Sequence, residues 1–290
     1  MAEIQKVEIR ALDNGFGREV VGLDASSRLD DETLGWIEQA FAEHPVLVFR
    51  QQRFDAPALD AFARRFGTPQ RHVMLKYRHP EIPEVSYVRN VDDAGKTDPF
   101  GVKRASNWHA DATYETHLPR LAMLHALEVP STGGGTLFAD MRAAFDALEP
   151  DLKETLISLT GVHGFNVGPG AEKLYATQKL AVGQVDQFHP AVLRHPYSGR
   201  PILFVNPSHT YRFVGMEVGA GWELVERLSK HAIEPRFRYH HHWQPGDLVI
   251  WDELATMHRN AADADPKERR VLLRSIVYPA VGAPKPIAAV

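Results

Sequence analysis

The chain contains no cysteine. That absence excludes a disulfide scaffold, a thiolate zinc site, an iron–sulfur cluster and a cysteine nucleophile, and it fits a reducing compartment. No stretch approaches the ~18 consecutive apolar residues of a membrane span. The first residues, Met1 to Lys6, lack the apolar core of a signal peptide. An excess of one charge is also missing: 33 Lys and Arg against 37 Asp and Glu leave a net of −4. No clustered basic face is therefore offered to nucleic acid. The expectation is a soluble, cytoplasmic protein with neither nucleic acid nor membrane as partner. Any metal it holds must be bound by histidine and carboxylate.

What is present is ordinary globular composition, 44% hydrophobic and 24% charged over 290 residues. No internal repeat, low-complexity tract or Ser/Pro-rich linker divides it, so residues 1–290 read as a single domain. Asp30 or Asp31 can cap a helix bearing Leu34, Ile37 and Phe41 on one face. Val46 to Arg50 reads as a buried strand, followed by a helix over Ala56 to Phe66 ended by Gly67. A helical stretch near Met141 to Leu159 is split by Pro150, and another runs from about Gly221 to Ile233. Strands are expected at Ile202–Val205, Phe237–Trp243, Leu248–Trp251 and Val271–Tyr278. Many short strands with few crossover helices predict a mainly β fold with flanking helices, a jelly-roll or sandwich. Two stretches without periodic pattern, 92–106 and 167–187, are expected as lid loops.

The sharpest local feature is Asn107-Trp108-His109-Ala110-Asp111. In an extended segment, side chains two apart share a face, so His109 and Asp111 can reach one point. A second histidine would complete the two-His-one-carboxylate face that holds non-haem Fe(II). His258, after a strongly apolar strand, is the candidate. A chance His-x-Asp pair and an inert loop histidine are the plain alternatives. Arg270 and Arg274 share one face of the last strand. If they point inward they need anions, and if outward they pair with acids at an exposed edge. Gly133-Gly134-Gly135-Thr136 is either a structural turn or a turn presenting a hydroxyl; beside an inward arginine, Thr136 makes a carboxylate clamp. In the tract His240-His241-His242, His241 shares a face with Tyr239 and Trp243 and is expected in the core.

In order along the chain come Asn107 to Asp111, Gly133 to Thr136, Asp140 to Phe145, Gly246 to Asp252, Met257-His258-Arg259, and Arg270 with Arg274. This ordered set, spanning roughly residues 5 to 279, resembles the Fe(II)/2-oxoglutarate dioxygenases of the taurine and 2,4-dichlorophenoxyacetate dioxygenase group (TauD/TfdA). The resemblance implies a double-stranded β-helix (jelly-roll, cupin-like) core. It implies iron on His109, Asp111 and His258, and 2-oxoglutarate on Thr136 and Arg270, with O2 as the third reactant. It further implies an anionic primary substrate on Arg274 and His72. Lys76, Tyr77, Ser106, Asn107 and Tyr114 are the remaining polar or aromatic candidates for substrate selection. Ala105 and Leu75 stand where taurine enzymes carry asparagine and tyrosine, so the pattern departs from taurine itself. The implied reaction hydroxylates a small anionic organic substrate, of alkyl sulfonate, alkyl sulfate or aryloxyalkanoate type. Succinate and CO2 are co-products, and the hydroxylated product can collapse to an aldehyde or keto acid. A homo-oligomer, dimer or tetramer, is also implied. A zinc hydrolase on the same three ligands and a non-catalytic jelly-roll binding protein are the competing readings.

Overall fold

Four strands carry the framework because their sequences are apolar at nearly every position: Val46–Phe49, Leu121–Glu128, Leu248–Asp252 and Val271–Tyr278. Apolar-rich runs of this kind are expected of strands buried on both faces. The computed structural model describes residues 7–12, 16–92, 94–165, 167 and 185–289. The predicted loop 167–187 lies outside the described residues except at its ends.

The main sheet runs in the order Glu8–Ala11, Arg18–Val21, Val46–Phe49, Leu248–Asp252, Leu121–Glu128, Val271–Tyr278, Thr68–Pro69, with Ser86–Arg89 also pairing onto Val271–Tyr278. Every pairing is antiparallel except that of Arg18–Val21 with Val46–Phe49. Side chains alternate between two destinations. Leu47, Phe49, Met123, Leu248, Ile250 and Leu273 pack under the helices Asp31–Glu43 and Ala56–Ala63, against Leu34, Ile37, Phe41, Leu59 and Phe62. Val46, Val48, Ala122, Leu124, Val249, Trp251 and Leu272 face the other way, onto Phe138 and Tyr239. Those two belong to a second sheet of Arg238–His241, Thr136–Asp140 and Thr256–Asn260. Two largely antiparallel sheets closed over one apolar interior make the expected jelly-roll, with helices outside it.

The helix ends follow local chemistry. Asp30 and Asp55 accept the amides of Thr33 and Ala58, each at 2.8 Å. Pro150 separates the helices Met141–Asp146 and Pro150–Ile157, as expected, while Val218–Ala232 begins three residues before the predicted Gly221. The helix Ala56–Ala63 stops short of Phe66. Gly67 serves another purpose: a Cβ there would run into the Tyr278 carbonyl. The predicted 92–106 loop contains a short helix, Pro99–Lys103, whose first turn Asp98 caps through the Phe100 amide. His241 is fully buried beside Tyr239 and Trp243, as read from the alternation.

Candidate metal centre

Backbone pairing brings the distant histidines together. His258 lies on Thr256–Asn260, opposite Phe138 in the second sheet. The chain at His109 pairs with its free edge. The His109 amide donates to the His258 carbonyl at 3.0 Å, and the His258 amide donates back to the His109 carbonyl at 2.7 Å. Residues exchanging both bonds present their side chains to the same face, and the two rings stand 4.3 Å apart. Asp111, two residues on, joins them with Oδ1 3.6 Å from His109 Nε2. One possible ligand atom from each of His109, Asp111 and His258 lies within 4.8 Å of the others, the only such group of three among the described residues.

The electrostatics prepare these three groups to bind a cation. Burial lowers His109 and holds His258 well below its ordinary value, so both imidazoles are neutral near pH 7 with lone pairs to give. Burial alone would push the Asp111 carboxyl up. The Arg274 guanidinium, whose Nη1 donates to Asp111 Oδ2 at 3.0 Å, outweighs it with help from the histidines, so Asp111 stays ionised. His109 Nδ1 bonds the Asn107 carbonyl at 2.8 Å, which leaves Nε2 facing the carboxylate. Nδ1 of His258 is buried with no hydrogen-bond partner among the described residues. Two neutral imidazoles and one carboxylate on one face fit Fe(II) with coordination positions to spare.

A cavity of about 290 Å³ opens on this cluster, and Thr136, Arg270, Arg274, Asn107, Tyr114 and His209 are among its walls. Arg270 and Arg274, read as sharing one face, both point inward. Arg270 is 7% exposed. Its Nε donates to the Gly134 carbonyl at 2.8 Å. Burial pulls its guanidinium down to about 10, with Asp263 partly opposing. A cation held this way favours an anionic ligand. Thr136 Oγ1 accepts the Trp243 indole N–H at 3.0 Å. Indole is a donor only, so the threonine proton remains available to donate to the same anion. The glycine run makes this corner possible: Gly133 has φ +70°, and a Cβ on it would meet the Asp263 carbonyl.

Residues 8–276 match the family described as "Taurine catabolism dioxygenase TauD, TfdA family". This chain belongs to the TauD/TfdA family. The dioxygenase is 34% identical to pentalenolactone F synthase of Streptomyces avermitilis, over 91% of each chain. It is also 34% identical to (S)-phenoxypropionate/alpha-ketoglutarate-dioxygenase of Sphingobium herbicidovorans, over 92% of this chain and 93% of that one. The crystal structure of AAD-2 in complex with Mn(II) and N-oxalylglycine superimposes with a TM-score of 0.80 at 29% identity, covering 97% of this chain and 99% of that one. The protein is thus an Fe(II)- and 2-oxoglutarate-dependent dioxygenase using O2, and the hydrolase and binding-protein readings give way. Among the described residues, no helix is long and apolar enough to cross a membrane.

The other substrate-side candidates separate. Asn107 lines the cavity. Lys76 and Tyr77 are not among its walls; both bond Asp98 Oδ2, at 2.9 and 2.7 Å. His72 is buried, with Nδ1 taking the Met74 amide at 3.0 Å. Burial, then Arg274 and Arg104, keep it well below its ordinary value. Sequence reading missed Arg104, Glu253 and His209. Arg104 is 7% exposed, lines the cavity and packs its guanidinium 4.7 Å over the Tyr77 ring. Next to Lys103 it reads as a solvated pair, and only its burial reveals it. His209 meets Tyr114 edge-on at 4.9 Å, with Phe165 completing an aromatic wall. Burial brings it down to about 3. Glu253 had one available signal, an acid inside the apolar run from Leu248 to Met257.

Proposed function

We propose that this dioxygenase hydroxylates a small anionic organic substrate of the aryloxyalkanoate or alkyl sulfate/sulfonate type. The observation that carries the reading is the buried Arg274 guanidinium on the cavity wall beside the metal ligands. When bound, iron, 2-oxoglutarate and O2 supply the oxidising power, and succinate and CO2 are the co-products. His109, Asp111 and His258 would hold the metal. Arg270 and the Thr136 hydroxyl would hold the distal carboxylate of 2-oxoglutarate, one as a charged donor and the other as a neutral one.

Arg274 would fix the substrate anion, with Arg104 adding positive field to the same chamber. Tyr114, Phe165 and His209 give an aromatic surface for the organic body. Anchoring the anion sets which carbon faces the metal, and that orientation is where much of the rate enhancement resides. Hydroxylation at a carbon that bears an ether or sulfate-ester oxygen leaves two oxygens on it. The C–O bond then breaks, releasing a phenol, alcohol or sulfate and leaving an aldehyde or keto acid. A relative named for (S)-phenoxypropionate supports this class.

The test is succinate formation and O2 uptake with Fe(II), ascorbate and 2-oxoglutarate over a panel of aryloxyalkanoates, alkyl sulfates and alkyl sulfonates. The substrate of pentalenolactone F synthase belongs in the panel as well. At least one anion should stimulate succinate formation well above the substrate-free rate, and His109→Ala should abolish it. Stimulation by uncharged analogues alone would refute the anionic assignment.

A further inference from the structure

Glu253 is 1% exposed and lies directly against the metal ligands without being one of them. Its Oε2 accepts the backbone N–H of Asp111 at 2.9 Å. Its Oε1 is buried with no hydrogen-bond partner among the described residues, and so is Nε1 of the Trp251 indole. The indole interacts with the Glu253 carboxyl without reaching full hydrogen-bond geometry. Trp251 in turn packs its ring 4.9 Å from that of His258 and 5.5 Å from Phe138. One side chain therefore touches the backbone of one ligand and the packing partner of another.

The turn that presents Glu253 is fixed on both sides. Asp252 Oδ1 accepts the Leu254 and Ala255 amides, each at 2.9 Å, and Oδ2 pairs with His195 Nε2 at 2.8 Å. The Glu253 amide donates to the Arg120 carbonyl at 3.2 Å, and the Thr256 hydroxyl closes the turn onto the Asp252 carbonyl at 2.7 Å. The restrained turn fixes where the side chain starts, and its burial holds the contact with Asp111. Asp111 itself begins a turn, where Ala112 follows with φ +57°. No strand ladder holds the Asp111 amide, and without Glu253 it would have no other partner in its present position among the described residues.

We propose that Glu253 is a positioning residue of the metal centre. By accepting the Asp111 amide and steadying the Trp251 indole, it places Asp111 and His258 at coordinating distance of one ion. Outer partners that orient metal ligands typically account for 10–100-fold in metal affinity.

The test uses the full chain loaded with Co(II) in place of iron. It reads binding affinity by calorimetry, coordination by visible absorption, and the thermal stability of the metal-free form. Glu253→Gln keeps an acceptor of the same shape and should bind Co(II) within about threefold of wild type with the same spectrum. Glu253→Ala should bind on the order of 10–100-fold more weakly with an altered spectrum. Glu253→Met fills similar volume without a strong acceptor. It should match Ala, and it decides the question if Ala does not fold. Wild-type affinity and spectrum in the folded Met or Ala variant would overturn the proposal. So would a Gln variant as impaired as Ala. A loss confined to thermal stability, with Co(II) binding unmoved, would show that Glu253 only supports the fold, and that also overturns it.

Discussion

Replacing Arg270 with methionine should stabilise the metal-free, 2-oxoglutarate-free protein while destroying its affinity for 2-oxoglutarate. The guanidinium is held down to about 10 from its usual 12.5 by burial, which corresponds to a cost of about 3 kcal/mol to the charged form. Methionine removes that cost and keeps an apolar stem of similar reach. Against this, the Gly134 carbonyl loses its partner at 2.8 Å, a loss of about 1 kcal/mol. The difference, about 2 kcal/mol, should appear as a Tm higher by roughly 3 °C in a chain of this length. With Mn(II) bound to both proteins, 2-oxoglutarate at about 100 times the wild-type Kd should then raise the wild type by about 2.7 kcal/mol and Arg270→Met by no more than about 0.8 kcal/mol, closing the gap between them. Direct titration should show binding at least ~30-fold weaker, the lower end of what truncating a buried charge pair costs. A variant that is less stable without ligands, yet still shifted by 2-oxoglutarate, would refute the assignment of Arg270 as a cation waiting for that carboxylate.

Arg274→Ala should raise KM for the best anionic substrate on the order of 30-fold or more while leaving KM for 2-oxoglutarate within about threefold. Equal effects on both would place Arg274 elsewhere in the reaction. His163, fully buried, is held well below its ordinary 6.5 by burial first, then by His189 and His209. Below pH 6.5 the unfolded chain therefore takes up a proton that the folded chain refuses. Stability should fall as the pH drops from there toward the folded value, His163 contributing up to about 1.4 kcal/mol per pH unit. In urea titrations between pH 7 and 5, His163→Gln should flatten that slope, and an unchanged slope would mean the imidazole is not excluded from protonation. Gly133→Ala forces a Cβ onto the Asp263 carbonyl at φ +70°. It should cost about 2–4 kcal/mol in chemical denaturation; a smaller loss would show that the Asp263 loop yields easily.

The sequence by itself determined the strands and the chemistry available to the site. Unbroken apolar runs such as Val46–Phe49 and Leu248–Trp251 have few alternatives to burial on both faces. Alternation put His241 in the core, and parity placed Arg270 and Arg274 on one face of the last strand. Absence of cysteine left histidine and carboxylate as the donors. Tertiary structure decided what depends on contact between segments far apart in the chain. The pairing of His109 with His258 spans 149 positions. Only the folded protein shows that Arg274 rests on Asp111, that Lys76 and Tyr77 are taken up by Asp98, and that Arg104 is buried on an aromatic ring. Glu253 illustrates the reason. A carboxylate in a sequence carries the same formal charge wherever it stands, whereas its partners and its role are fixed by the atoms that folding packs around it.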